Sequence, residues 1–147
     1  MNDTGTDQVL IRDLPISEVM RRPVVSIDAR CSAALALREL LACGIRHLVV
    51  IDSAGHGVGV LADRMLAACW AEWPGGLDRT EVGALVGSHP PFVAMDTTMA
   101  QAARVMHDCG LDAVAVLDSV GHPVGVLTTT DLMTLVAGQK PGPDQAT

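Results

Sequence analysis

Thr128 and Asp131 stand three residues apart, directly after an apolar run that ends at Leu127 and at the start of a helical pattern. In that setting the Thr128 hydroxyl and the free backbone N–H groups of a first helical turn point at one spot, where an anion such as a phosphate is favoured. Asp131, one turn along on the same face, is an acceptor-only carboxylate able to take both hydroxyls of a ribose. The same spacing also describes an ordinary capping box, in which the two side chains merely close off a helix start. Other reactive chemistry is sparse. Cys31, Cys43, Cys69 and Cys109 show no Cys-x-x-Cys spacing and no two histidines lie three to five apart, so a zinc site has no support. Reduced, mostly buried thiols are expected. Nor does any nucleophile stand beside a placed base, so no enzyme is expected.

The elements that must position these residues are written twice. The ten residues from Asp52 to Leu61 and the ten from Asp118 to Leu127 agree at eight positions with an offset of 66. Cys43-Gly44-Ile45 and Cys109-Gly110-Leu111 keep that offset, and the runs starting at Pro23 and Pro91 match at an offset of 68. Such a repeat decides the architecture before any local reading. Each unit predicts a short strand, an Ala-rich helix with a glycine stop, a strand, a turn, a second strand and a second helix. In the first unit these fall at 24–27, a helix capped by Ser32 and stopped at Gly44, 47–51, 58–61 and 63–72. In the second they fall at 92–94, a helix capped by Thr98, 113–117, 124–127 and a helix to about 137. A lead-in helix is expected at 14–20, with Ser17 available as cap, and a short helix at 80–86 follows the break at 73–79. The polar, Pro/Gly-rich tail at 138–147 should be disordered. One three-stranded sheet cannot bury both of its faces, so two sheets packed face to face with helices outside are expected, leaving two related clefts at the junction.

Composition narrows the partners. Seventeen acidic against ten basic side chains, a net charge of −7, would repel nucleic acid. One Phe, two Trp and no Tyr remove aromatic stacking platforms, so a bound base would lie between aliphatic side chains. Apolar residues form 49% of the chain, but runs such as 48–51 and 113–117 have the length of buried strands, and no membrane span is expected. The first residues carry neither a basic start nor an apolar core, which points to the cytoplasm. His56 and His122 recur in the two turns and read as surface residues related by the duplication. Trp70 and Trp73 read as packing or contact residues, and Met95, Met99, Met106 and Met133 as core or interface filling.

Together the β-α-β-β-α order over about 14–137, the run Gly44-Ile-Arg-His-Leu-Val-Val-Ile-Asp52 and the phrase Gly125-Val-Leu-Thr-Thr-Thr-Asp131 resemble the tandem cystathionine β-synthase (CBS) domain pair, or Bateman module. The resemblance implies an α/β fold of duplicated CBS motifs packed sheet to sheet about a pseudo-two-fold axis, with domains at 14–72 and 80–137. It implies a regulatory ligand (AMP, ADP, ATP or S-adenosylmethionine) rather than a cofactor, a homodimer, and action in trans on a protein partner; the alternative is a ligand-free dimerisation or interaction module. The implied ligand residues are Thr128 and Asp131, with Arg46 and His47 lent by the first unit, and Val93 on the opening strand of the second. At the equivalent place the first unit has Ala62 and Met65, which offer neither hydroxyl nor carboxylate, so at most one tight nucleotide per chain is expected. Asp63 there reads as a cap and Arg64 as a solvated charge. Asp112 and Ala113, at the places of Arg46 and His47, could not serve a phosphate.

Overall fold

A computed structural model describes residues 10–139. The expected tail from residue 140 onward lies outside the described residues. Two three-stranded sheets carry the fold. In the first, β1 (Ser26–Asp28) runs parallel to β2 (His47–Ile51), which pairs antiparallel with β3 (Gly57–Ala62). The second repeats this with β4 (Phe92–Ala94), β5 (Ala113–Leu117) and β6 (Pro123–Thr128). The helices are α1 (Ala33–Cys43), α2 (Asp63–Glu72), α3 (Met99–Cys109) and α4 (Thr129–Val136).

Local chemistry explains the helix limits. Ser32 accepts the Leu35 N–H and Thr98 the Gln101 N–H, while the Gln101 side chain returns to the Thr98 N–H. Gly44 and Gly110 end α1 and α3 with φ of 66° and 67°, a left-handed turn that glycine adopts without a Cβ clash. Each helix buries residues one and two turns apart, Ala33, Ala36 and Leu40 in α1 and Met99, Ala102 and Met106 in α3.

The strand alternation sorts side chains between layers. Leu48 and Val50 face α1 in the first core, Val114 and Val116 face α3 in the second, and Val49, Val60, Ala113 and Ala115 meet between the sheets. At one end of this seam the Gly57 N–H donates to the Gly121 carbonyl, and the rings of His56 and His122 stack with centroids 5.2 Å apart. The two turn histidines are therefore partners of each other, which their separate places in the sequence could not show.

Two elements differ from expectation. Residues 14–20 form no α-helix. Two 3-10 turns, Ile11–Asp13 and Ile16–Glu18, are separated by extended Leu14 and Pro15, because proline lacks an N–H and holds the preceding residue out of the helical region. Ser17 caps nothing; it lies inside the second turn. Residues 80–86 likewise give only the 3-10 turn Val82–Ala84, since Thr80 and Glu81 are extended and bridge to residues 32 and 33. The four cysteines are free and half-buried, less enclosed than expected.

The lead-in segments cross over. Residues before the first unit pack on the second: the Ile16 N–H donates to the Thr97 carbonyl, Arg21 bridges to Val126, and Ile16 and Met20 join the core of Val93, Met106 and Leu127. Residues before the second unit pack on the first: the Val82 N–H donates to the Cys31 carbonyl, and Val82 and Val86 join the core of Leu40 and Leu61. Two glycines accept the crossing chains. A Cβ on Gly59 would stand 2.5 Å from Val86 Cβ, and one on Gly125 would stand 2.3 Å from Met20 Sδ.

Candidate functional site

A cleft of about 260 Å³ opens at the other end of the seam. Its walls come from four separate stretches: Arg21 and Val25 after the lead-in, Gly44, Ile45, Arg46 and His47 at the entry to β2, Asp112 just before β5, and Val126, Thr128, Thr129 and Thr130 at the end of β6 and the start of α4. Its volume lies just below the range usual for small-molecule sites, roughly 300 to 1,000 Å³.

The end of β6 shapes the cleft. Thr128 is the N-cap of α4; its Oγ1 accepts the Asp131 N–H, and its own N–H donates to Asp131 Oδ2 at 2.9 Å. The capping box is thus formed. Asp131 has no exposed surface, and its Oδ1 accepts from Arg21 Nε at 2.7 Å, with Arg21 Nη2 also 2.7 Å away. A buried carboxylate is tolerated because one oxygen meets a guanidinium and the other a backbone N–H. Arg21 was not singled out from the sequence; it sits 110 residues from its partner, and only the crossed lead-in brings it there.

Of the five ligand residues expected, Thr128, Arg46 and His47 line the cleft together. Asp131 lies behind Thr128, turned onto Arg21. Val93 is buried in the second core with Ile16, Met99 and Met106 and is not among the residues that line the cleft, because alternation along β4 turns Phe92 to the inter-sheet seam and Val93 to the helix side.

Arg46 is two-thirds exposed and pairs with Asp63 at 3.2 Å and Asp112 at 4.0 Å. His47 is nearly buried, with Nε2 2.7 Å from Asp112 Oδ1. Burial pushes the Asp112 carboxyl up, but the hydrogen bond and charge of His47, with Arg46 beyond, more than offset this and hold it below the usual carboxylate value. Asp63 therefore serves as a partner for Arg46 as well as opening α2. Arg64, expected to be solvated, donates to the Gly110 carbonyl at the end of α3, joining the two units where a helix terminus favours a cation.

At the pseudo-equivalent place the hydroxyl, the carboxylate and its guanidinium partner are all missing. By the offset of 66, Thr128, Asp131 and Arg21 correspond to Ala62, Met65 and Gly87, and the Ala62 N–H has only the Met65 thioether at 3.5 Å. The two ends of the duplication are chemically unequal.

Comparison with known proteins agrees with this architecture. The CBS domain family model matches residues 16–71 and 82–138. A CBS domain-containing protein of Dictyostelium discoideum is 25% identical over 131 residues, covering 82% of this chain and 90% of that protein. Protein SDS23 of Podospora anserina is 31% identical over 139 residues, but the chain spans only 26% of its length. Among solved structures, the CBS domain pair of protein MJ0100, in complex with 5′-methylthioadenosine and S-adenosyl-L-methionine, superposes with a TM-score of 0.76 at 20% identity, covering 85% of this chain and 97% of that one. CBSX2 in complex with AMP gives a TM-score of 0.70 at 25% identity, covering 84% and 96%. With two family matches laid on the two halves of one duplicated fold, the chain belongs to the CBS domain family and is a tandem CBS pair.

Proposed function

We propose that this chain is a regulatory module that senses an adenosine-type ligand in the cleft at Thr128 and acts in trans on a partner protein, with no chemistry of its own. The observation that carries the reading is the convergence of Arg21, Arg46, His47 and Thr128 on one cleft, while the pseudo-equivalent residues are Gly87, Asp112, Ala113 and Ala62. Related pairs that hold AMP or 5′-methylthioadenosine and S-adenosyl-L-methionine support the ligand class. Val25, Ile45 and Val126 supply aliphatic walls for a base, in keeping with the scarcity of aromatic residues. Ribose hydroxyls reach Asp131 in this reading by taking over bonds that Arg21 now makes, so ligand entry loosens the lead-in segment. Free, half-buried cysteines suit a reducing cytoplasmic setting.

Calorimetric titration with AMP and with S-adenosylmethionine tests the reading. Saturable binding at one ligand per chain is expected, and at a hundred times Kd the ligand adds about 2.7 kcal/mol of stability. Absence of binding by either would favour a ligand-free dimerisation module. That second reading has its own support: the Arg21, Asp131 and Thr128 network is complete without a ligand, and Leu41, Trp70, Met133 and Val136 are exposed on the outer helices.

A further inference from the structure

We infer that Asp112 is a specificity-determining residue that turns the cleft against phosphorylated ligands, so that its preferred occupant is an adenosine-type molecule without phosphate, either neutral or cationic. The inference rests on the adenosine reading above and adds the charge class.

The cations that line the cleft, Arg21, Arg46 and His47, each already face a carboxylate, while Arg64 beside it donates to the Gly110 carbonyl. Arg21 pairs with Asp131, Arg46 with Asp63 and Asp112, and His47 with Asp112. Two fixed positive charges therefore meet three carboxylates, and protonation of His47 brings the set only to neutrality. Three N–H groups of the helix start that would otherwise cradle an anion are also engaged. The Thr128 N–H donates to Asp131 Oδ2, the Thr129 N–H to the Asp112 carbonyl and the Asp131 N–H to Thr128 Oγ1. A phosphate held by those groups must displace these bonds, and any phosphate in the cleft stands beside the Asp112 carboxylate, within a chain whose net charge is already −7. Asp112 is the group that decides, because it lines the cleft itself, a third exposed, whereas Asp131 lies buried behind Thr128. A thioether or sulfonium substituent at the 5′ carbon displaces none of these bonds and meets no repulsion.

The test is the ratio of Kd for AMP to Kd for 5′-methylthioadenosine, measured by calorimetry on the whole chain at low salt. In the wild type a ratio of about ten or more is expected. Asp112→Asn keeps the shape of the side chain and should lower the ratio several-fold, while Asp108→Asn, which removes the same charge from an exposed position on α3, should leave it unchanged. AMP binding the wild type as tightly as 5′-methylthioadenosine, or an unmoved ratio in Asp112→Asn, overturns the inference and leaves the adenosine reading standing. Failure of both ligands to bind overturns the two together.

Discussion

Asp131 carries two structural roles at once, one legible in the sequence and one not. It completes the α4 capping box and closes a buried ion pair with Arg21. A lost cap costs about 1 kcal/mol, whereas removing one partner of a buried pair costs roughly 3 to 5 kcal/mol, less where the other partner keeps some contact with water. Arg21 retains 22% of its side-chain exposure, so Asp131→Ala should lower the unfolding free energy by about 2 to 4 kcal/mol and Thr128→Ala by about 1 kcal/mol, measured by urea denaturation. In a double-mutant cycle, Asp131→Ala should cost clearly less once Arg21 is alanine. If it costs the same in both backgrounds, the ion pair contributes nothing beyond the cap.

At the scale of elements, the crossed lead-ins make two glycines unequal. Gly59 faces the β-branched Val86 at its Cβ, whereas Gly125 faces the flexible end of Met20. Overpacking of a filled site costs roughly 1 to 3 kcal/mol. Gly59→Ala should fall at the upper end and Gly125→Ala at the lower, because methionine can swing aside. The decisive comparison is the background: Gly59→Ala should cost little in Val86→Gly but remain costly in Val86→Ala, since the clash is with Cβ itself. Equal penalties in both backgrounds would mean that residues 80–86 do not sit against β3. Thr98, with its reciprocal Gln101 bond, should also cost more to replace by alanine than Ser32, by a few tenths of a kcal/mol, in thermal unfolding.

For the whole molecule, acid stability reports on one contact between the units, at Asp112, and on one turn within the second, at Asp118. Asp118 is held below 3.8 mainly by the His122 backbone N–H, with the Val120 N–H adding to it against a smaller effect of burial, and Asp112 is held below 3.8 by His47 across the cleft. A carboxylate whose folded pKa lies below its unfolded value stabilises the fold above the unfolded pKa and loses that effect as pH falls through the folded one. Urea midpoints should therefore separate wild type from Asp112→Asn and Asp118→Asn at neutral pH and converge below pH 3.8. A gap that persists unchanged at the acid end would show that charge is not the cause. Assembly is the other property of this scale. The exposed Leu41, Trp70, Met133 and Val136 lead us to propose a homodimer through the outer helices, so light scattering at micromolar concentration should give twice the chain mass, and Trp70→Glu should halve it.

Much of this was determined by the sequence alone. The 66-residue repeat, the caps Ser32 and Thr98, the stops Gly44 and Gly110 and strands such as 47–51 and 113–117 rest on local chemistry: side-chain periodicity, a hydroxyl within reach of a free N–H, and a glycine where φ is positive. Pro15 already carried the signal that breaks the lead-in helix expected at 14–20 with Ser17 as its cap. Only the tertiary structure decided that the lead-ins exchange units, that Arg21 meets Asp131, that Asp112 shares a cleft with Arg46 and His47, and that His56 stacks on His122. The last three of these contacts each span 65 residues or more, and whether such groups meet depends on how the two sheets face each other, which no spacing along the chain encodes.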